Sequence, residues 1–127
     1  MTARIAVICS LLPGIGCAGG GGSQHLPPAT IIRGEVTPIR LELSVWGAGS
    51  GAMSSRYTDV TCVYKTEAAP TPSRLLGIVE QEAEDRMVVL FRLPAFNLED
   101  GSFVEYFFEM KFDGVPNRRD GARIPLR

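Results

Sequence analysis

From Val104 to Phe112 the chain alternates without a break. Val104, Tyr106, Phe108, Met110 and Phe112 fall on one side, and Glu105, Phe107, Glu109 and Lys111 on the other. Successive side chains of a strand point to opposite faces, so this run buries one face only as β-structure. Helical winding would scatter the same residues around the axis. The period of two returns in Leu41, Leu43 and Val45, in Val60, Cys62 and Tyr64, and in Met87, Val89, Phe91 and Leu93. Weaker β-rich runs cover Thr30 to Val36, Leu75 to Val79 and Ala122 to Leu126. Asp100-Gly101, Asp113-Gly114 and Asp120-Gly121 suit turns that need positive φ. Pro38, Pro70, Pro72, Pro94, Pro116 and Pro125 fall at or near strand ends, where a missing N–H costs least. No window shows a sustained helical period with caps, and Gln81 to Asp85 reads as a solvated acidic loop. The expectation is an all-β chain of about seven strands in a two-sheet antiparallel sandwich.

Charge and cysteine content exclude several functions. The formal net charge is −1, which gives no field toward nucleic acid or anionic lipid. Arg118, Arg119, Arg123 and Arg127, interrupted by Asp120, read as a solvated edge. Of Cys9, Cys17 and Cys62, only the last lies in the periodic region, so no disulfide forms inside it. Cys62 is expected to be a small buried hydrophobe. The one histidine, His25, lies before the first strand, which leaves a thiol or serine nucleophile without a base and zinc without ligands.

The start of the chain has a different character. Arg4 precedes an apolar run from Ile5 to Ile15, broken by Pro13 and Gly14. An export signal has a basic start, an apolar core of about 7–15 residues and small residues at the cut. A membrane-spanning helix needs about 20 apolar residues, more than this run supplies. Leu12-Pro13-Gly14-Ile15-Gly16-Cys17 resembles the lipobox of bacterial lipoproteins, which implies lipid attachment at Cys17. A plain cut after Ala18 is the alternative, with Gly16 and Ala18 as the small pair. Residues 1–17 therefore read as a signal peptide. Residues 18–29, rich in Gly and Pro, read as a flexible linker that cannot bury enough surface to offset its ordering entropy. Residues 30–127 read as one domain.

Val60-Thr61-Cys62-Val63-Tyr64, then Arg86 to Leu93-Pro94, Asp100-Gly101, Val104 to Glu109 and Phe112-Asp113-Gly114 form a recognisable succession. It resembles the immunoglobulin-like or fibronectin-III-like modules of secreted bacterial proteins, over roughly Val36 to Leu126. The resemblance implies a single immunoglobulin-like sandwich and leaves function open, since such modules act as spacers, sugar binders and docking units. Two features depart from it. Cys62 has no partner for an antibody-type disulfide, and Gly47 to Ala52, with Ser54 and Ser55, makes an unusually glycine-rich loop.

That loop matches the G-x-G-x-x-A dinucleotide fingerprint, but the residues after it are β-prone where the fingerprint requires a helix. The acidic groups around Glu80 to Asp85 and Glu99-Asp100 follow no calcium-loop pattern. No carboxylate pair is singled out for glycoside hydrolysis. If Tyr106 and Phe108 face the core, Phe107 faces outward, with Val63 sharing that face. Trp46 stands at the mouth of the glycine-rich loop. Exposed aromatics mark recognition surfaces for sugars or proteins, so Trp46 and Phe107 are the candidate binding residues. The expectation is a non-catalytic exported protein of the bacterial cell envelope, held on a membrane by lipid at Cys17. It binds an envelope protein or glycan, needs no cofactor or metal and takes no nucleic acid. A structural spacer or accessory module of a secreted hydrolase system is the alternative, and a small carboxylate-dependent hydrolase the remaining one.

Overall fold

The computed structural model describes residues 19–47 and 52–127. The leader with Cys17, and residues 48–51 of the glycine-rich loop, lie outside the described residues. Among the described residues eight strands form two antiparallel four-stranded sheets. They are β1 (Gly19–Gln24), β2 (Thr37–Gly47), β3 (Tyr57–Thr66), β4 (Ser73–Leu76), β5 (Ile78–Glu82), β6 (Arg86–Leu93), β7 (Phe103–Phe112) and β8 (Val115–Pro125). A single helical turn, α1 (Met53–Arg56), precedes β3. One sheet runs β1-β2-β6-β5 and the other β4-β3-β7-β8. Both sheets are antiparallel throughout, and they face each other as the two layers of a β-sandwich.

The core is what the alternation requires. Leu41, Leu43, Met87, Val89, Phe91 and Leu93 from one sheet meet Cys62, Val104, Phe108 and Met110 from the other, all buried. The rings of Phe91 and Phe108 pack with centroids 5.4 Å apart. Each such side chain contributes about 1.5–3 kcal/mol when fully removed from water. Asp113 and Gly114 both take positive φ, 49° and 81°, and join β7 to β8 in the tight hairpin turn expected of Asp-Gly.

Four expectations are corrected. Leu75 to Val79 is two strands rather than one. The chain leaves β4 in one sheet and enters β5 in the other across Gly77. A Cβ there would collide with Val89 Cγ1 and the Phe91 ring, so glycine lets the backbone pass this close to the core. Asp120-Gly121 is no turn. It lies within β8, where the pairing shifts between Tyr106↔Ala122 and Phe107↔Asp120, leaving Gly121 as a β-bulge. A Cβ on Gly121 would meet the Tyr106 carbonyl oxygen. Thr30 to Val36 forms no strand; it makes one parallel bridge, Ile31↔Leu126, and turns.

The fourth correction concerns the linker. Gly19–Gln24 is not a flexible tether but an edge strand, in register with β2 from Gly19↔Gly47 to Gln24↔Glu42. Glycine here costs about 0.5–1 kcal/mol per residue relative to alanine. The reason for it is close approach. A Cβ on Gly20 would lie 2.8 Å from the Trp46 ring, and one on Gly21 would collide with the Tyr57 hydroxyl. The strand passes between an indole on one face and the Tyr57–Phe112 stack, centroids 4.6 Å apart, on the other. Composition hides this, because a glycine run carries no hydrophobic period. Gly21→Ala is accordingly expected to lower stability by about 1–3 kcal/mol in urea denaturation, the range for overpacking. Exposed Ser23→Ala is expected to stay within about 0.5 kcal/mol. A true tether would tolerate both equally.

Candidate functional site

The outer face of the β4-β3-β7-β8 sheet gathers the candidate site. Strand alternation puts Val63, Phe107 and their neighbours there, opposite the core. Val63 lies between its cross-strand partners Arg74 and Phe107 and is 2% exposed although it is on the outside of the sheet. The Gly121 bulge decides what covers Phe107. Beyond it the alternation of β8 reverses, so Arg118 pairs across from Glu109 and turns to the outer face. Its guanidinium lies 3.7 Å from the Phe107 centroid. Arg123 covers Phe103 in the same way at 4.3 Å. Phe107 does point outward as alternation requires, but it is half-buried under arginine rather than bare to solvent.

A ladder of ion pairs crosses the face: Arg74–Glu109 at 2.6 Å, Arg123–Glu105 at 3.2 Å and Lys111–Asp59 at 3.7 Å. Exposed pairs of this kind stabilise little, about 0–1 kcal/mol each. They do, however, engage both carboxylates that β7 presents. Arg118 has no carboxylate partner among the described residues, and its charge is held flat against a ring. Two clefts flank it. One, of about 460 Å³, lies toward Thr61 and Lys111; the other, of about 550 Å³, lies toward Lys65, Pro70 and Pro72. A third, of about 420 Å³, opens at the side of the sandwich between Ser23, His25 and Arg119. Arg118 lines all three. A fixed guanidinium in an open cleft can receive a carboxylate through two parallel hydrogen bonds.

Trp46 is not part of this face. It sits on the other sheet, half-buried against Gly20, with its Nε1 buried and without an acceptor among the described residues. The two aromatics singled out in the sequence are therefore not brought together. Among the described residues no three His, Cys, Asp or Glu side chains group around a common point. The nucleotide fingerprint fails on its helix, since α1 has four residues and leads directly into β3. No helix among the described residues is long and apolar enough to cross a membrane.

His25, expected in a flexible linker, is instead packed into the fold. Its Nδ1 lies 2.7 Å from the Arg40 carbonyl and its Nε2 2.5 Å from the Tyr106 hydroxyl. The ring stands edge-on to Tyr106 and Phe108. A carbonyl only accepts, so Nδ1 carries the proton and Nε2 accepts from tyrosine. Desolvation holds the imidazole below its ordinary pKa of 6.5, opposed by the bond to Arg40, and burial likewise pushes the Tyr106 phenol up. Beneath them Cys62 is fully buried and its thiol is pushed up to about 12, which leaves it an inert core side chain. No protein-family model matches the chain, and no curated protein matches its sequence.

The lowered histidine pKa fixes a pH dependence. The unfolded chain binds a proton near pH 6.5 that the folded chain refuses until lower pH. His25 thus contributes stability that is fully present above pH 6.5 and is lost as pH falls through the folded pKa. Urea midpoints measured from pH 8 downward should hold steady and then decline below pH 6.5, and His25→Gln should remove the decline in the range above carboxylate titration.

Proposed function

We propose that the protein is a non-catalytic binding module of the bacterial cell envelope, exported by its leader and anchored by lipid at Cys17. It holds an acidic glycan on the outer face of the β4-β3-β7-β8 sheet. The observation that carries this reading is Arg118: among the described residues it is the one guanidinium of that face without a carboxylate, and it is pinned on Phe107 where the clefts meet. A protein interface centres on an apolar patch. Here both aromatic rings are capped by arginine, which favours a polar, charged ligand over a protein surface. Glu105 and Glu109 are each tied to an arginine, which argues against a carboxylate pair doing hydrolysis.

The test is calorimetric titration with a uronic-acid polysaccharide and with neutral dextran. The acidic polymer alone is expected to bind. Arg118→Gln should weaken it by about 1.5–3 kcal/mol, the worth of a charge-assisted hydrogen bond, which is ten- to a hundredfold in Kd. Arg74→Gln should weaken it less. Capture of an envelope protein with no polysaccharide binding would redirect the reading to a protein partner. Binding of neither would leave the spacer role. Anchoring has its own check: labelled palmitate should appear on the wild-type chain and vanish in Cys17→Ala.

A further inference from the structure

A lipid-anchored domain is usually pictured at the end of a leash, and the glycine run after Cys17 looks like one. The structure leaves no leash. Gly19 is already paired with Gly47 in β1, so two peptide links, at most about 7 Å, separate Cys17 from the folded sheet. The strand does not peel away to lengthen the connection without cost. Its backbone is inserted between Trp46 and Tyr57, Tyr57 donates its hydroxyl to the Ser44 carbonyl beside it, and His25 fastens the chain just beyond its far end.

We propose that the β1-start end of the sandwich rests directly on the lipid headgroups, so that the domain has a fixed end-on placement. The proposal rests on the reading of Cys17 as the lipid-bearing residue. The end concerned is defined by the register: Gly19 and Gly47, α1, the β5–β6 turn and the Asp113-Gly114 turn all lie there. Leu98, in the turn before β7, lies at the opposite end and is exposed, as Val115 is at the near end. Charge does not hold this end down. Glu82 ends β5 and Glu84 and Asp85 occupy the turn after it, while Arg86 is bridged to Glu42 and Arg56 to Asp113. Among the described residues no free basic cluster is left at this end to attract anionic lipid. The acyl anchor alone holds this end down, by hydrophobic insertion, so placement should not change with salt. With β3 and β7 ten residues long, the glycan face spans only about the first 33 Å above the membrane, so its ligand must be available in that layer.

The test uses the full acylated chain in vesicles of phosphatidylethanolamine and phosphatidylglycerol. Fluorophores are attached at Val115→Cys or at Leu98→Cys; buried Cys62 stays unlabelled. A nitroxide on the lipid headgroup is the quencher. Quenching several-fold stronger at position 115 than at 98, unchanged by salt, is the expected result. A flexible Gly-Ser insert of ~12 residues between Ala18 and Gly19, reaching about 19 Å, should erase the difference. Equal quenching of the two sites in the unextended chain, with acyl groups confirmed by intact mass, overturns the placement while leaving the anchor reading standing. Absence of acyl mass and of vesicle association overturns both.

Discussion

Between the Trp46 indole and the Tyr57 hydroxyl there is room for a peptide backbone and nothing more. That tight fit governs this side of the molecule. It makes Gly20 and Gly21 structural, adds a fourth strand to the β1-β2-β6-β5 sheet and carries the chain on to His25. Without it, β2 would present an open row of backbone donors and acceptors, the usual hazard of an uncovered edge. The glycines give up side-chain packing of their own. The aromatic side chains that lie against them supply the contact area instead.

The elements legible in the sequence are those whose two faces differ. β7 reads clearly because Val104, Tyr106, Phe108 and Met110 alternate with Glu105, Phe107, Glu109 and Lys111 and are buried as the pattern requires. β2, β3 and β6 read for the same reason. Most of the features that stayed hidden in the sheets are made by glycine. β1 has no side chains to alternate. Gly77 looks like a blemish in one strand, although it is the point where the chain changes sheets. Asp120-Gly121 has the composition of a turn and behaves as a bulge, because what matters there is contact with the Tyr106 carbonyl, made only in the folded sheet. His25 falls in a segment that looks disordered by composition, and its partners Arg40 and Tyr106 are distant in sequence.

The candidate site shows the same division. That Phe107 faces outward follows from the period of two, whereas its cover does not. Counting alternation straight through β8 from Ile124 would send Arg118 to the core side; the single extra residue at Gly121 returns it to the surface above Phe107. One bulge thus converts a bare aromatic into a charged platform. The signal available beforehand was the Asp-Gly pair in an otherwise β-like run, which marks a break in alternation but does not tell a bulge from a turn.

The crossing at Gly77 has a mechanical consequence. It joins the outer strands β4 and β5 of the two sheets by a single residue, so along that flank the layers are stitched together like pages at a spine. The opposite flank, where β1 and β8 end their sheets, is held by the His25 clasp and the Ile31–Leu126 bridge. Any breathing of the sandwich is therefore lopsided: the layers part along the fore-edge and stay closed at the binding.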